Sequence, residues 1–431
     1  MTGRPSAADS GMKLNYIDAM MKNKRNDDKR MRQMLLTAFL FLFPWLAGAA
    51  SYVPLLRQLG MENIREAAGP EGVYLCWEDP VYRGPVRGLA EVLRQLAAQE
   101  ELTQETHLVI LENGWPQLLI TVPAGSWTDY REERVTWTEF VNSLELTYDT
   151  DEAMRHFSGA KTEHRSAGKV DFVVYPQLQL RNSWMDKIYG ASVNIAPAIE
   201  MQLWKGASFT GQVIFPIWNN LIGEMDYIRA GILTLRQEVR LPKRWMASLT
   251  VGNFTQQRIG ADLQLTWRTA DDRWLLGARG GLTGASVVQD GHWQVSRWER
   301  LSGAVWGRYF EPHYQLELEF TAERYIYGDY GARLDCVRHF GETTVGLFAM
   351  VSGGEANGGF SFSVPLPRKK RMRRKAVRVR LPEYWGLTYE AQSGNEYAER
   401  RLGRRYQTDP VVSRSNRFYN PDFVRKQLLR Q

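Results

Sequence analysis

Between Lys169 and Leu366 apolar and polar side chains alternate residue by residue over runs of about 10–13 positions, and Gly, Pro, Asn and Asp punctuate the runs. In Tyr314–Glu323, one side collects Gln315, Glu317, Glu319, Thr321 and Glu323, the other Tyr314, Leu316, Leu318, Phe320 and Ala322. A repeat of two residues marks a β-strand with unlike faces. Ile259, Ala261, Leu263, Leu265 and Trp267 stand against Asp262, Gln264, Thr266 and Arg268 in the same way. So do Phe360, Phe362, Val364 and Leu366 against Ser361 and Ser363. The pattern predicts twelve strands, near 169–181, 189–204, 207–217, 223–240, 243–253, 256–268, 272–283, 293–309, 313–326, 329–340, 343–352 and 357–366.

Strand length separates the two architectures that such alternation fits, a soluble β-sandwich or propeller and a membrane barrel. Globular strands cluster near 5–6 residues, whereas a tilted strand needs about 9–11 to cross a bilayer. Most of these runs are long enough to cross. Trp184, Trp204, Trp218, Trp245, Trp267 and Trp274 fall at or near the run ends, where interfacial aromatic girdles sit. Short connections at Lys205-Gly206, Leu241-Pro242 and Gly341-Glu342 read as periplasmic turns, and the longer Gly284–His292 and Gly353–Asn357 as extracellular loops. The expected fold class is mainly β, a transmembrane antiparallel β-barrel of about twelve strands over 169–367 with a small N-terminal periplasmic α+β domain. An even strand count leaves both ends of such a barrel on one side of the membrane. On the polar face, Glu317, Glu319, Glu323, Asp262 and Arg268 are the candidate lumen-lining residues.

Ahead of the strands, Met34–Leu46 is an apolar run preceded by Lys29, Arg30 and Arg32 and followed by Ala47-Gly48-Ala49-Ala50. It is too short to span a bilayer and has the three parts of a secretory signal peptide, so residues 1–50 read as leader and signal. Residues 51–127 carry an α+β pattern. Gly72–Glu78 reads as a strand, and Pro85–Glu100 as an amphipathic helix through Leu89, Val92, Leu93 and Leu96. His107–Glu112 and Trp115–Val122 form a hairpin around the Asn113-Gly114 turn. Residues 128–168 read as a polar linker, in which Asp149, Asp151 and Glu152 are solvated acids rather than a metal site.

Composition bounds the class and charge reshapes it. The chain has 431 residues, 44% of them hydrophobic, and a mean hydropathy of −0.40. That excludes a polytopic helical membrane protein and a disordered chain. The formal charge of +7 divides unevenly. Residues 1–32 hold 8 Lys/Arg against 4 Asp/Glu, residues 368–431 hold 18 against 6, and the body between them is left at −9. The tail opens on Arg368, Lys369, Lys370, Arg371, Arg373, Arg374 and Lys375, candidates for binding an anionic partner. With a signal peptide and a barrel ahead of it, 368–431 is expected in the periplasm, which argues against nucleic acid. Tyr384-Trp385 and Tyr389 admit one more β segment or a sugar-stacking surface. Cys76 and Cys336, the two cysteines, read as unpaired thiols. No catalytic triad, metal-ligand or nucleotide-binding motif is present, so no catalytic, cofactor or metal residues are assigned.

Three stretches carry a family resemblance: Arg324-Tyr325 with Asp329-Tyr330-Gly331-Ala332-Arg333-Leu334-Asp335; Arg338-His339-Phe340-Gly341-Glu342-Thr343-Thr344-Val345-Gly346-Leu347-Phe348; and Gly358-Gly359-Phe360-Ser361-Phe362-Ser363-Val364-Pro365-Leu366. They resemble the C-terminal part of the YjbH family of bacterial outer-membrane proteins from exopolysaccharide and capsule operons. Leu59-Gly60-Met61-Glu62-Asn63-Ile64 resembles the family's periplasmic part, and Arg401-Leu402-Gly403-Arg404 a segment near its C-terminus. The resemblance implies a non-enzymatic accessory in polysaccharide production or export. Its implied partner is the periplasmic export machinery, while the barrel implies outer-membrane lipid and the basic tail acidic polysaccharide. A barrel enzyme acting on lipid or polysaccharide, and a simple diffusion pore, are the alternatives.

Overall fold

The computed structural model describes residues 51–182, 189–221, 226–289, 291–391, 397, 399–410 and 413–431. The signal segment at 34–46 and Trp184 lie outside the described residues.

Two sheets are present. The smaller is built from β1 (Glu62–Gly69), β2 (Gly72–Glu78), β3 (Thr106–Glu112), β4 (Trp115–Val122) and β5 (Glu145–Thr147), paired in that order. β2 and β3 run parallel, so the chain must cross over between them, and it does so through α2 (Gly84–Ala97). Pro near its N-terminus starts this helix, and Leu89, Val92, Leu93 and Leu96 bury one face of it on the sheet. α1 (Val53–Leu59) precedes β1.

The segment expected to be a linker instead completes this layer. α3 (Ser126–Arg131), α4 (Trp137–Ser143) and α5 (Asp151–His156) are helical, and β5 pairs with β4. Phe140, Val141, Leu144 and Tyr148 join the core. α4 is set by a capping box, Thr136 accepting from the Glu139 amide while Glu139 accepts from the Thr136 amide. Helices of six or seven residues offer too few turns for a 3.6-residue period to emerge from the polar positions around them. Asp149 pairs with Arg244, and Asp151 lies 3.9 Å from Arg240, so these acids face cations of the chain itself.

The larger sheet has fifteen strands. Twelve follow one another as antiparallel neighbours: β6 (Val170–Asn182), β7 (Tyr189–Trp204), β8 (Ala207–Asn219), β9 (Arg229–Leu241), β10 (Trp245–Phe254), β11 (Arg258–Arg268), β12 (Trp274–Gln289), β14 (Arg300–Glu311), β15 (Leu316–Arg324), β16 (Tyr330–Phe340), β17 (Thr343–Ser352) and β18 (Glu355–Pro365). β13 (His292–Val295) folds back on the end of β12 as an exposed hairpin. The connection at Gly353–Asn357, expected to be long, is a tight turn. Gly353 and Gly354 both have positive φ there, which lets two residues reverse the strand.

The seam also differs from expectation. β6 and β18 do not meet edge to edge. Between them stand β20 (Tyr384–Glu390), antiparallel to β18, and β19 (Val377–Arg380), parallel to β6. β20 touches β6 at one parallel pair, Glu390 with Arg181. Parity accounts for the direction: one strand added to twelve alternating ones must run parallel to the first.

Burial in this sheet is inverted relative to a water-soluble core. Glu317 is fully buried and Asp262, Asp335, Thr250 and Ser363 nearly so, while Leu318, Phe320, Leu249, Leu334 and Leu347 on the alternate positions are exposed. Trp204, Trp218, Trp245 and Trp274 are exposed near strand ends. No helix among the described residues is long and apolar enough to cross a membrane.

The short turns of the large sheet sit against the α+β layer. The Gly206 amide donates to the Asn113 carbonyl at 2.8 Å, and Trp115 Nε1 to the Glu238 carbonyl at 2.9 Å. A Cβ on Gly206 would lie 2.5 Å from that indole nitrogen, so glycine is what lets the two turns touch. Arg83 and Arg87 both reach Glu342 in the β16–β17 turn, at 2.7 and 2.6 Å.

Candidate functional site

The polar face of the large sheet is occupied by the C-terminal segment of the chain. From β20 the chain reaches the end of the sheet farther from the α+β layer. There the Gly403 amide donates to Asp329 at 2.8 Å, and the Arg404 carbonyl accepts from Ile326 at 3.2 Å. It then returns along the polar face. Arg405 pairs with Glu323 at 2.6 Å. Tyr406 Oη donates to Asp262 at 2.6 Å, and its ring lies under the Arg279 guanidinium and stacks on Phe254. The Thr408 carbonyl accepts from Thr234, and Asp409 from Arg236 at 2.7 Å. Ser413 Oγ lies 2.9 Å from Ser363 Oγ, and Ser415 Oγ 2.9 Å from His339 Nδ1. Arg417 meets Glu112 of the α+β layer.

The segment ends in α6 (Pro421–Leu428), capped by Asn420. Arg425 there donates to the Val141 and Leu144 carbonyls, while Val424 and Leu428 enter the α+β core. The C-terminus therefore returns to the side of the short turns by passing along the interior of the sheet.

Gly281 makes room for this passage, since a Cβ there would lie 1.7 Å from Tyr406 Oη. Glu317 and Glu319 share Arg308 and Arg414: Arg308 lies 2.6 Å from Glu319, and Arg414 lies 3.1 Å from Glu319 and 3.7 Å from Asp335. Arg414 also bonds Glu317, the most buried acid of the group. Buried carboxylates are stable only when paired and hydrogen-bonded, and here the partners come from a distant part of the same chain.

Of the expected lumen residues, Glu317, Glu319, Glu323 and Asp262 thus face the polar interior and are neutralised by Arg308, Arg414, Arg405 and Arg279. Arg268 lies instead at the α+β junction, its guanidinium 4.0 Å from the centroid of the Tyr148 ring. The basic run at 368–375 divides in two. Arg371 pairs with Glu383 at 2.7 Å, Arg374 with Glu62, and Arg373 donates to the Gln58 carbonyl, so these three make internal contacts, while Arg368, Lys369, Lys370 and Lys375 are exposed. Further on, Arg378 and Arg380 clamp Asp171 of β6 at 2.7 and 3.0 Å. The tail was expected to offer its whole basic run to an anionic partner, but several of its arginines find acids of the body instead. The split into an acidic body and a +12 tail was the available signal.

Near the junction, burial raises the Glu112 carboxyl to about 7 against the opposing pull of Arg417, with Glu238 and Glu78 adding to the rise. Glu342 is held below the usual carboxylate range by hydrogen bonds from Arg83 and Arg87, which outweigh its burial.

No family description matches the chain, and no curated protein matches it. Among solved structures it is similar to OmpT, an outer membrane protein of Vibrio cholerae, in its trimer form. That match has 11% identity and a TM-score of 0.24 over 46% of this chain and 82% of that one. A triple mutant of the Rhodopseudomonas blastica porin matches at 9% identity and a TM-score of 0.24, over 46% and 89%. At these scores the overlap carries no weight for what this chain does.

Proposed function

We propose that the chain is an outer-membrane barrel whose lumen is filled by its own C-terminal segment, and that it serves as a non-enzymatic accessory in exopolysaccharide or capsule production. The observation that carries the membrane part is the inverted burial. A band of Leu, Val, Phe and Trp on the outside of long strands, with Glu317, Asp262 and Asp335 inside, suits lipid outside and paired charge within. The polysaccharide role rests on the resemblance in residues 324–366. The α+β layer and α6 face the periplasm in this reading, where export machinery is the partner.

The occupied interior favours an anchor over a diffusion pore, because Tyr406, Arg414 and Ser415 stand where solutes would pass. The exposed Arg368, Lys369, Lys370 and Lys375 beside the short turns are placed to meet acidic polysaccharide or lipid phosphate. Deleting the gene is expected to reduce the amount or attachment of surface polysaccharide, measured by uronic-acid assay on washed cells, with restoration by the full chain. Unchanged polysaccharide in the deletion strain would refute the role, and purified protein conducting ions steadily in planar bilayers would refute the filled lumen.

A further inference from the structure

At the end of the α+β layer remote from the large sheet, three side chains from a turn, a loop and a strand converge. Glu71 lies in the β1–β2 turn, Glu105 just before β3 and His107 on β3. One ligand atom from each lies within 4.8 Å of the other two. His107 Nε2 is 3.2 Å from a Glu105 carboxylate oxygen and 3.9 Å from Glu71 Oε2. The His107 side chain is 8% exposed, yet its Nε2 has no hydrogen-bond partner and is aimed at the two carboxylates.

Neighbouring groups hold the three donors in place. His107 Nδ1 is 3.3 Å from Thr121 Oγ1; with the ring proton given to that hydroxyl, Nε2 is left as a lone pair. Tyr74 Oη donates to Glu71 Oε2 at 3.3 Å, and its ring stacks on His107 with 4.3 Å between centroids. An imidazole whose second nitrogen is hydrogen-bonded, beside carboxylates that are themselves held, is the usual outer arrangement of a metal site. In that tautomer three lone-pair donors face one point, an arrangement that a cation completes.

We propose that Glu71, Glu105 and His107 bind one zinc ion. Zinc takes imidazole nitrogen and carboxylate oxygen at about 2.0–2.2 Å in tetrahedral geometry, which separates ligand atoms by about 3.3 Å. The His107–Glu105 distance already fits, and Glu71 Oε2, 3.9 Å from the imidazole nitrogen on an exposed side chain, has to move closer to complete the set. Calcium and magnesium, which want six or more oxygens, are poorly served by two carboxylates and an imidazole. Three protein ligands leave the fourth position open to water or to a donor from a partner. β3 carries the site about 17 Å from Glu112 and the junction, at 3.3 Å per residue, so the metal would sit at the free end of the layer. Glu105 and His107 lie two residues apart, but Glu71 comes from a turn 34 residues earlier, and a two-residue pair alone does not mark a site in the chain read linearly.

The test is a titration of the folded full chain in detergent with zinc against a chromophoric chelator, for the wild type, E71Q/E105Q and H107Q. Glu71 and Glu105 have exposed side chains, so E71Q/E105Q leaves the fold intact and isolates the ligand effect. The expected result is one zinc per wild-type chain. The dissociation constant rises by more than about a hundredfold in each variant, because even outer partners of such sites are worth about 10–100-fold. Cobalt substitution is expected to give the visible absorption of a tetrahedral ion in the wild type alone. Absence of saturable one-to-one binding, or zinc binding that survives E71Q/E105Q unchanged, would overturn the assignment.

Discussion

Arg414→Ala removes one of the two guanidinium groups that serve Glu317 and Glu319. Arg308 then remains alone between two carboxylates, with Glu317 fully buried and Asp335 within 3.7 Å of the vacated position. Breaking a buried ion pair by deleting one partner costs about 3–5 kcal/mol, mostly from the charge left uncompensated. At about 1.4 kcal/mol per tenfold, that is a factor of roughly 10² to a few thousand in the folding equilibrium. Tryptophan fluorescence during urea unfolding in detergent measures the loss.

The origin of the loss makes a second demand. If the stranded charge dominates, Glu317→Gln in the Arg414→Ala background should recover part of it, since contacting residues couple by about 0.5–3 kcal/mol. A cost below about 1 kcal/mol, or strict additivity of the two substitutions, would refute the pairing of the tail with the interior acids.

Gly281→Val should expel the Tyr406 ring, because a Cβ there meets its hydroxyl at 1.7 Å; a loss of about 1–3 kcal/mol and faster proteolysis within 399–410 are expected. In the α+β layer, burial raises the Asp79 carboxyl to about 6 against two backbone amides that favour its charged form. The folded state therefore holds a proton that the unfolded chain releases, and stability falls as pH rises from about 4 to about 6. Asp79→Asn keeps the acceptor oxygen and should flatten the denaturation profile over that range. Burial also pushes the Cys76 thiol up to about 11, so native protein should leave it unlabelled by maleimide at pH 7 while urea-unfolded protein labels fully.

The strand pattern was legible because each membrane-length strand repeats its two faces several times over, so no single residue decides. Each of the twelve predicted runs overlaps one of the twelve successive strands, with ends shifted by up to seven residues and the run 293–309 joining the β13 arm to β14. The pattern says nothing about what fills the polar face. Gln315, Glu317 and Glu319 look the same in sequence whether they line water or meet arginines.

Tyr406, Ser413 and Arg414 sit in a polar, irregular stretch without periodicity, and their partners at Asp262, Ser363 and Glu317 lie 50 to 144 residues away. Such pairings are set by the three-dimensional path of the chain. The seam strands β19 and β20 are short, and they follow a basic run that reads as a surface for an anionic partner. Only the aromatic residues at Tyr384, Trp385 and Tyr389 hinted at β20. The small layer was half legible: its long helix and hairpin declared themselves, while α3, α4, α5 and β5 did not.

The central claim is that residues 405–410 and 413–415 lie inside the barrel in the outer membrane. Ser363 of β18 and Ser413 of the segment are both buried, with hydroxyl oxygens 2.9 Å apart, so S363C/S413C places two thiols within bonding reach. Oxidising outer-membrane fractions from cells carrying this variant and resolving them on non-reducing gels tests the claim directly. The account predicts near-complete formation of an intramolecular disulfide that shifts migration and is reversed by reductant. A protein that stays unlinked, with S413C open to a membrane-impermeant maleimide, would contradict it.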